Sequence, residues 1–236
     1  MSRLFFVLCL ITAFATAASS EPLVFHASTS GRRTLDHGEG GGNPFASALV
    51  EILGRTEMRL AEFPVALRTL TVEKSKGRQS PDVPKAVSPE DWKLVPQQPG
   101  EKRTALVLVV SDYRRSGEQS LSGAEHDAHR VTEALGKAGF VITEPALNLD
   151  LSNMRRKLAD FAAASADFDA AVIYTTGHGV ESNGAVYLIP GDYPTQEGNT
   201  ALAAKALPLI EIANAARAKR VNLVFYGGCR DDPYSK

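Results

Sequence analysis

The stretch Val221-Asn222-Leu223-Val224-Phe225-Tyr226-Gly227-Gly228-Cys229-Arg230-Asp231-Asp232-Pro233 closes the chain three residues before its last, Lys236. Its apolar run, bounded by two glycines, reads as a buried strand of a parallel sheet that ends in a tight turn. The first side chain past the turn is a thiol. Glycines let the backbone bend sharply and approach a ligand, and Arg230 beside the thiol would favour the thiolate, the nucleophilic form. A free cysteine is otherwise among the most buried residue types. Its place between glycines and Arg-Asp-Asp-Pro argues for a loop instead.

Working back from that strand, the chain alternates strand and helix. Ala105 to Val110 is a continuous apolar run. Helix signals follow from Gly123 to Gly136, a strand at Phe140-Val141-Ile142, a helix from Leu151 to Ala164 and a strand from Asp169 to Thr175. After an irregular stretch holding Val186 to Pro190 comes a helix from Pro208 to Ala218. This alternation predicts an α/β fold, a three-layer sandwich with a mainly parallel central sheet and helices on both faces. The front of the chain is different. A short strand, Pro22 to Ser28, leads into a polar loop, Thr29 to Asn43, that contains five glycines. Asn43 caps a helix begun by Pro44, with Phe45, Leu49, Ile52 and Leu53 on one face and Gly54 as its stop. A second helix is expected from Glu57 to Val72, with Pro64 as an irregularity. From Glu73 to Gly100 the chain is rich in Lys, Ser, Gln and Pro, broken by the alternating Asp91-Trp92-Lys93-Leu94-Val95, which reads as an edge strand.

The first residues carry Arg3, an apolar stretch from Leu4 to Phe14 and the small residues Ala15-Thr16-Ala17, the pattern of a secretory signal peptide over residues 1–17. The run falls short of the roughly 20 apolar residues that span a membrane. The expected location is therefore secreted or periplasmic, with no membrane partner after cleavage. Cys9 would leave with the signal, so of two cysteines only Cys229 would remain, which reads as a reactive thiol. With 26 Lys and Arg against 27 Asp and Glu, and no basic block, the chain shows no footprint for nucleic acid.

The strand ending at Tyr174 runs into Thr175-Thr176-Gly177-His178-Gly179. A histidine just past the carboxyl end of a parallel strand lies on the same sheet edge as Cys229, where open α/β sheets bind ligands. A thiolate nucleophile with an imidazole that stabilises it and protonates a leaving amine suits acyl transfer. The backbone N–H groups of Gly179 and Cys229 are candidates for an oxyanion hole. His126 and His129, with Asp127 between them, read as a solvated helix face and Asp231-Asp232 as a solvated turn, so no metal and no cofactor is assigned. A calcium requirement has no support in these residues.

From Thr104 to Pro233 the chain resembles the large-subunit part of caspase-like cysteine peptidases, the group of caspases, metacaspases and bacterial relatives. The matching pieces are the Ala105 strand, Leu121-Ser122-Gly123-Ala124-Glu125-His126-Asp127-Ala128, Gly139-Phe140-Val141, Tyr174 to Gly179, Tyr187-Leu188-Ile189-Pro190 and Cys229-Arg230. The resemblance implies a His178–Cys229 dyad and a peptide or protein substrate. The small-subunit part, which in that family follows the cysteine, resembles instead the front of this chain: Phe25 to Gly31, Gly42 to Leu49, and the Trp92 strand as its closing edge strand. The whole resembles a circular permutation. Residues 18–95 would be the small part, 96–103 the linker and 104–236 the large part. Extended, Pro96 to Arg103 reaches about 26 Å, enough for the roughly 19 Å across four strand spacings. Such a chain would need no processing cut. Its two parts could also pair between chains, as a swapped homodimer.

The resemblance places Ser28 and Asp36 in the substrate loop. The positions that hold aspartate-binding cations in animal caspases fall on Leu121, Gly227 and near Asp36, none of them cationic, so Asp36 implies a Lys or Arg at the cleaved position. Two other readings stay open: a non-catalytic caspase-like binding module, and a flavodoxin-like ligand-binding domain that would leave the Cys–His pair unexplained.

Overall fold

The computed structural model describes residues 20–38 and 40–235; the expected signal peptide and Cys9 lie outside them. In chain order the elements are β1 (Leu23–His26), α1 (Pro44–Leu53), β2 (Met58–Arg59), α2 (Phe63–Lys74), β3 (Lys93–Val95), β4 (Arg103–Val109), α3 (Ser122–Lys137), β5 (Val141–Ile142) and β6 (Ala146–Leu147). These are followed by α4 (Leu151–Ser165), β7 (Ala170–Thr176), β8 (Gly179–Ser182), β9 (Ala185–Leu188), α5 (Leu202–Lys205), β10 (Leu207–Pro208), α6 (Leu209–Ala213) and β11 (Val221–Tyr226).

The central sheet has the order β1-β11-β7-β4-β5, with β6 continuing beside β4. Every pairing in it is parallel. The three middle strands are buried along their whole length, which is why their centres, Ala105 to Val109, Ala170 to Ile173 and Leu223 to Phe225, are apolar. Their side chains alternate between two cores. Val107, Val172 and Phe225 face the core shared with α1, α2 and α3. Leu106, Ile173 and Val224 face the core shared with α4 and α6. The expected α/β sandwich with helices on both faces is therefore present. From β4 the chain first runs outward to β5 and then returns to β7 on the other side, so its direction across the sheet reverses between β4 and β7. In open parallel sheets a crevice forms at the carboxyl end of such a reversal.

The front of the chain adds the outermost strand. β1 pairs with β11 of the same chain, Leu23 opposite Leu223. The Trp92 segment does not close that edge: β3 pairs only with β2, away from the central sheet. What meets β1 is Asp82, in a single antiparallel bridge to His26. Pro84, which the register places opposite Val24, lacks the N–H that the next ladder bond on that side needs. The second helix begins at Phe63 rather than Glu57, because Pro64 is tolerated only in a first turn. The last helix is likewise shorter than expected, with Pro208 drawn into β10.

The Lys- and Pro-rich connection holds more structure than its composition suggests. Arg103, 1% exposed, pairs with buried Glu101 and lies over the Trp92 ring, 4.8 Å from its centroid. Its guanidinium also donates to the carbonyls of Lys93 and Leu94, so a buried ion pair clamps β3 to the start of β4. With these carbonyls and Glu101 as acceptors the buried cation is neutralised, which is the condition for such a charge to be tolerated.

Candidate active site

The parallel register delivers two reactive side chains to one place. On the neighbouring strands β11 and β7, Tyr226 sits opposite Thr175. Cys229 and His178 each follow three residues later, past the carboxyl edge. Both line one cavity of about 340 Å³, together with Thr34, Asp36, Asn43 and Gly227 among others.

The histidine is held from two sides. Its backbone N–H donates to the Tyr113 hydroxyl at 2.7 Å, and that hydroxyl donates to the Ile189 carbonyl at 2.9 Å. The Tyr113 ring meets the imidazole nearly edge-on, centroids 4.3 Å apart. Nε2 lies 2.7 Å from the Gln119 carbonyl. A carbonyl only accepts, so Nε2 carries a proton, and in the neutral ring Nδ1 keeps the lone pair. Among the described residues no hydrogen bond joins the imidazole to the thiol. The Cys229 sulfur instead meets Thr34, 3.3 Å from its N–H and 3.4 Å from its hydroxyl.

Glycine shapes the rim. A Cβ on Gly179 would stand 1.9 Å from the Tyr226 hydroxyl and 2.5 Å from the Cys229 carbonyl, so the two expected oxyanion-hole positions are packed against each other. The Cys229 N–H has no hydrogen-bond partner among the described residues.

Arg230 does not serve the thiol. Its guanidinium donates to Glu181 and Asp82, both at 2.8 Å, and to the Ser28 carbonyl at 3.4 Å. Successive side chains of an extended segment point to opposite sides, so the residue next to the thiol ties down the base of the loop. The guanidinium lining the cavity is Arg33, itself paired with Asp231 at 2.6 Å. His26 lies beside Arg230: burial, helped by that cation, pushes its imidazole down to about 4, against the opposing pull of Asp82 and Glu181.

Of the two expected substrate-binding residues, the structure brings one to the cavity. Asp36 lines it, accepts the Gly123 N–H at 3.2 Å and pairs with His37 at 3.0 Å. A carboxylate from the loop thus caps the start of α3, whose own preceding residue Leu121 cannot. Ser28 is buried, donates to the Arg32 carbonyl and does not line the cavity. His126 and His129 are exposed as expected, but Asp127 between them is buried under the glycine-rich loop. Burial pushes its carboxyl up to about 7, against the stabilising Asn43 N–H and Arg130. Residue patterns did not single out Tyr113, Gln119 or Thr34. Tyr113 carried one signal, its place just past the carboxyl end of β4 on the same edge.

These features define a class by architecture: an α/β protein with a mainly parallel sheet, in which a thiol and an imidazole from adjacent strands line one crevice at the carboxyl edge. The caspase-domain model matches residues 102–236, more than half of the sequence, and the chain belongs to the caspase-domain family. That membership suggests a cysteine peptidase. Among solved structures, caspase-1 from Spodoptera frugiperda is similar over 55% of this chain and 48% of its own, with 16% identity and a TM-score of 0.41. This chain therefore spans about half of that protein's length. No curated protein matches.

Proposed function

We propose that the protein is a cysteine endopeptidase in which Cys229 is the nucleophile and His178 its base and acid. The observation that carries this reading is the Gln119 carbonyl on Nε2, which leaves Nδ1 free for the thiol proton in the cavity that both side chains line. The thiol proton passes to Nδ1 and the sulfur bonds to the substrate carbonyl carbon. The oxygen becomes an oxyanion, for which the N–H groups of Cys229 and Gly179 are the candidate donors. As the C–N bond breaks, the imidazolium gives its proton to the leaving amine, and a thioester remains. Water, deprotonated by the imidazole, then attacks the thioester carbon; the C–S bond breaks, the new carboxyl end of the peptide leaves, and the sulfur takes a proton back from the imidazolium.

Charge around the cavity favours a basic side chain at the cleaved position. Asp36, Glu118 and Asp231 line it against one guanidinium, Arg33, which Asp231 already neutralises. The expected result with fluorogenic peptides is cleavage after Arg or Lys and little after Asp. Asp36→Asn should lower kcat/KM for the Arg peptide on the order of 10- to 100-fold, the worth of a hydrogen bond to a charged group. Preferential cleavage after Asp would reject this specificity. No cleavage of any peptide, together with no labelling of Cys229 by a peptidyl chloromethyl ketone, would favour a binding module.

We also read the chain as an exported, circularly permuted member of its family that needs no cut between its two parts. The support is that β1, from the front, lies parallel beside β11, the strand that leads to the cysteine. The protein purified after export should start at Ala18, show no internal cut by mass, and keep constant activity during incubation. Activation that depends on internal cleavage would overturn the reading.

A further inference from the structure

Two consecutive glycines precede the cysteine, and neither has a side chain to hold the turn. Gly227 is packed so closely on Thr176 that a Cβ would lie 2.6 Å from its hydroxyl oxygen, and a Cβ on Gly228 would lie 2.5 Å from that of Tyr226. The direction in which the turn presents Cys229 must therefore be set by hydrogen bonds to its peptide groups. The Gly227 N–H extends the ladder to the Thr175 carbonyl at 2.8 Å. Its carbonyl is met on the other side by the Asn43 side-chain amide, Nδ2, at 3.3 Å.

We propose that Asn43 is a positioning residue that fixes the Gly227 peptide and so aims the Cys229 thiol; the proposal rests on Cys229 acting as the nucleophile. Asn43 is 5% exposed, and its orientation is determined by its neighbours. Its Oδ1 accepts the Phe45 N–H at 2.8 Å, as the cap of α1, and the Gln79 amide at 3.0 Å. Two donors converging on Oδ1 leave Nδ2 as the group that faces Gly227. Its backbone N–H donates at 2.7 Å to Asp127, whose other oxygen accepts from Arg130 at 3.0 Å. Gln79 in turn accepts the Leu35 N–H at 3.0 Å, next to Thr34, whose N–H and hydroxyl meet the sulfur. One buried amide thus joins the cysteine turn, the loop facing the thiol and α3. Asn43, Gln79 and Thr34 all lie outside residues 102–236, so the matched caspase domain by itself lacks the group that steadies its cysteine.

Asn43→Ser separates this role from helix capping, because serine caps as well as asparagine but cannot reach Gly227. Gln79→Met is the second variant: it leaves the cap in place and removes the bond that orients the amide. The expected result for both is a kcat lowered on the order of 10-fold with KM little changed, since small misplacements of reacting groups cost up to about 100-fold. Amide hydrogen exchange over residues 226–230 should rise in both, while iodoacetamide, which needs no alignment with a bound carbonyl, should label Cys229 at the wild-type rate. Wild-type kcat and unchanged exchange in the two variants would overturn the proposal, as would a loss confined to KM. If the wild-type protein cleaves no peptide, the peptidase reading fails, and the exchange rates still decide whether Asn43 holds the turn.

Discussion

Cys229→Ala lowers kcat for a cleaved peptide by roughly 10,000-fold or more, the scale on which removal of a nucleophile acts. The reason is specific to this cavity. The sulfur shares the cavity with an imidazole whose Nδ1 is free, and in the proposed mechanism it is the sulfur that forms the covalent intermediate, while the other lining groups bind the peptide. The thiol is part-exposed, and among the described residues its hydrogen bonds are the two with Thr34, so the alanine variant should unfold within a few degrees of the wild type. His178→Ala should cost a comparable amount. The double variant should be no slower than either single one, because residues acting as a unit are non-additive. Peptidyl chloromethyl ketone labelling, followed by mass, should disappear with Cys229. Retention of a tenth of wild-type activity in a folded Cys229→Ala protein would remove the thiol from the mechanism.

What could be read from residue order is what burial and periodicity write there. The centres of β4, β7 and β11 are apolar because both of their faces are covered, and that pattern predicts neighbouring parallel strands without any coordinates. Once the strands are parallel, residues two or three positions past their ends share an edge, so His178 and Cys229 could be paired from the sequence. Gln119 could not be found this way. It contributes a backbone carbonyl, which every residue has, and its side chain is irrelevant to the contact. Arg230 was misleading for a related reason: adjacency along the chain says nothing about direction, and its guanidinium is drawn to Glu181 and Asp82. The Glu101–Arg103 pair was concealed because charged residues between prolines resemble a solvated connection, and only the carbonyls of Lys93 and Leu94 make burial there affordable. The Trp92 segment alternates like a strand, yet alternation specifies a face and not a partner, and its partner is β2 rather than the central sheet.

Gly179→Ala should damage both activity and stability, and the two losses have one origin. The added Cβ would stand 1.9 Å from the Tyr226 hydroxyl and 2.5 Å from the Cys229 carbonyl. The tyrosine cannot swing away, since it is fully buried and its hydroxyl lies between two acceptors, the Tyr187 carbonyl at 3.1 Å and the Cys229 carbonyl at 3.3 Å. Relief must come from the backbone of Cys229 itself. Overpacking of this kind costs about 1–3 kcal/mol, and a shift of about 1 Å in the nucleophile lowers kcat on the order of 100-fold. Gly184 provides the control. It turns the β8–β9 hairpin with a φ of +77°, and a Cβ there meets nothing within 4 Å. Gly184→Ala should therefore lose about 1 kcal/mol to backbone strain and leave kcat unchanged. Urea unfolding and steady-state kinetics on both variants separate the effects. If Gly179→Ala retained wild-type kcat while losing stability, the close approach of residues 179 and 229 would be a packing contact without a part in the chemistry. Equal kinetic losses in both variants would instead trace the damage to the hairpin, because only Gly179 touches the backbone that carries the thiol.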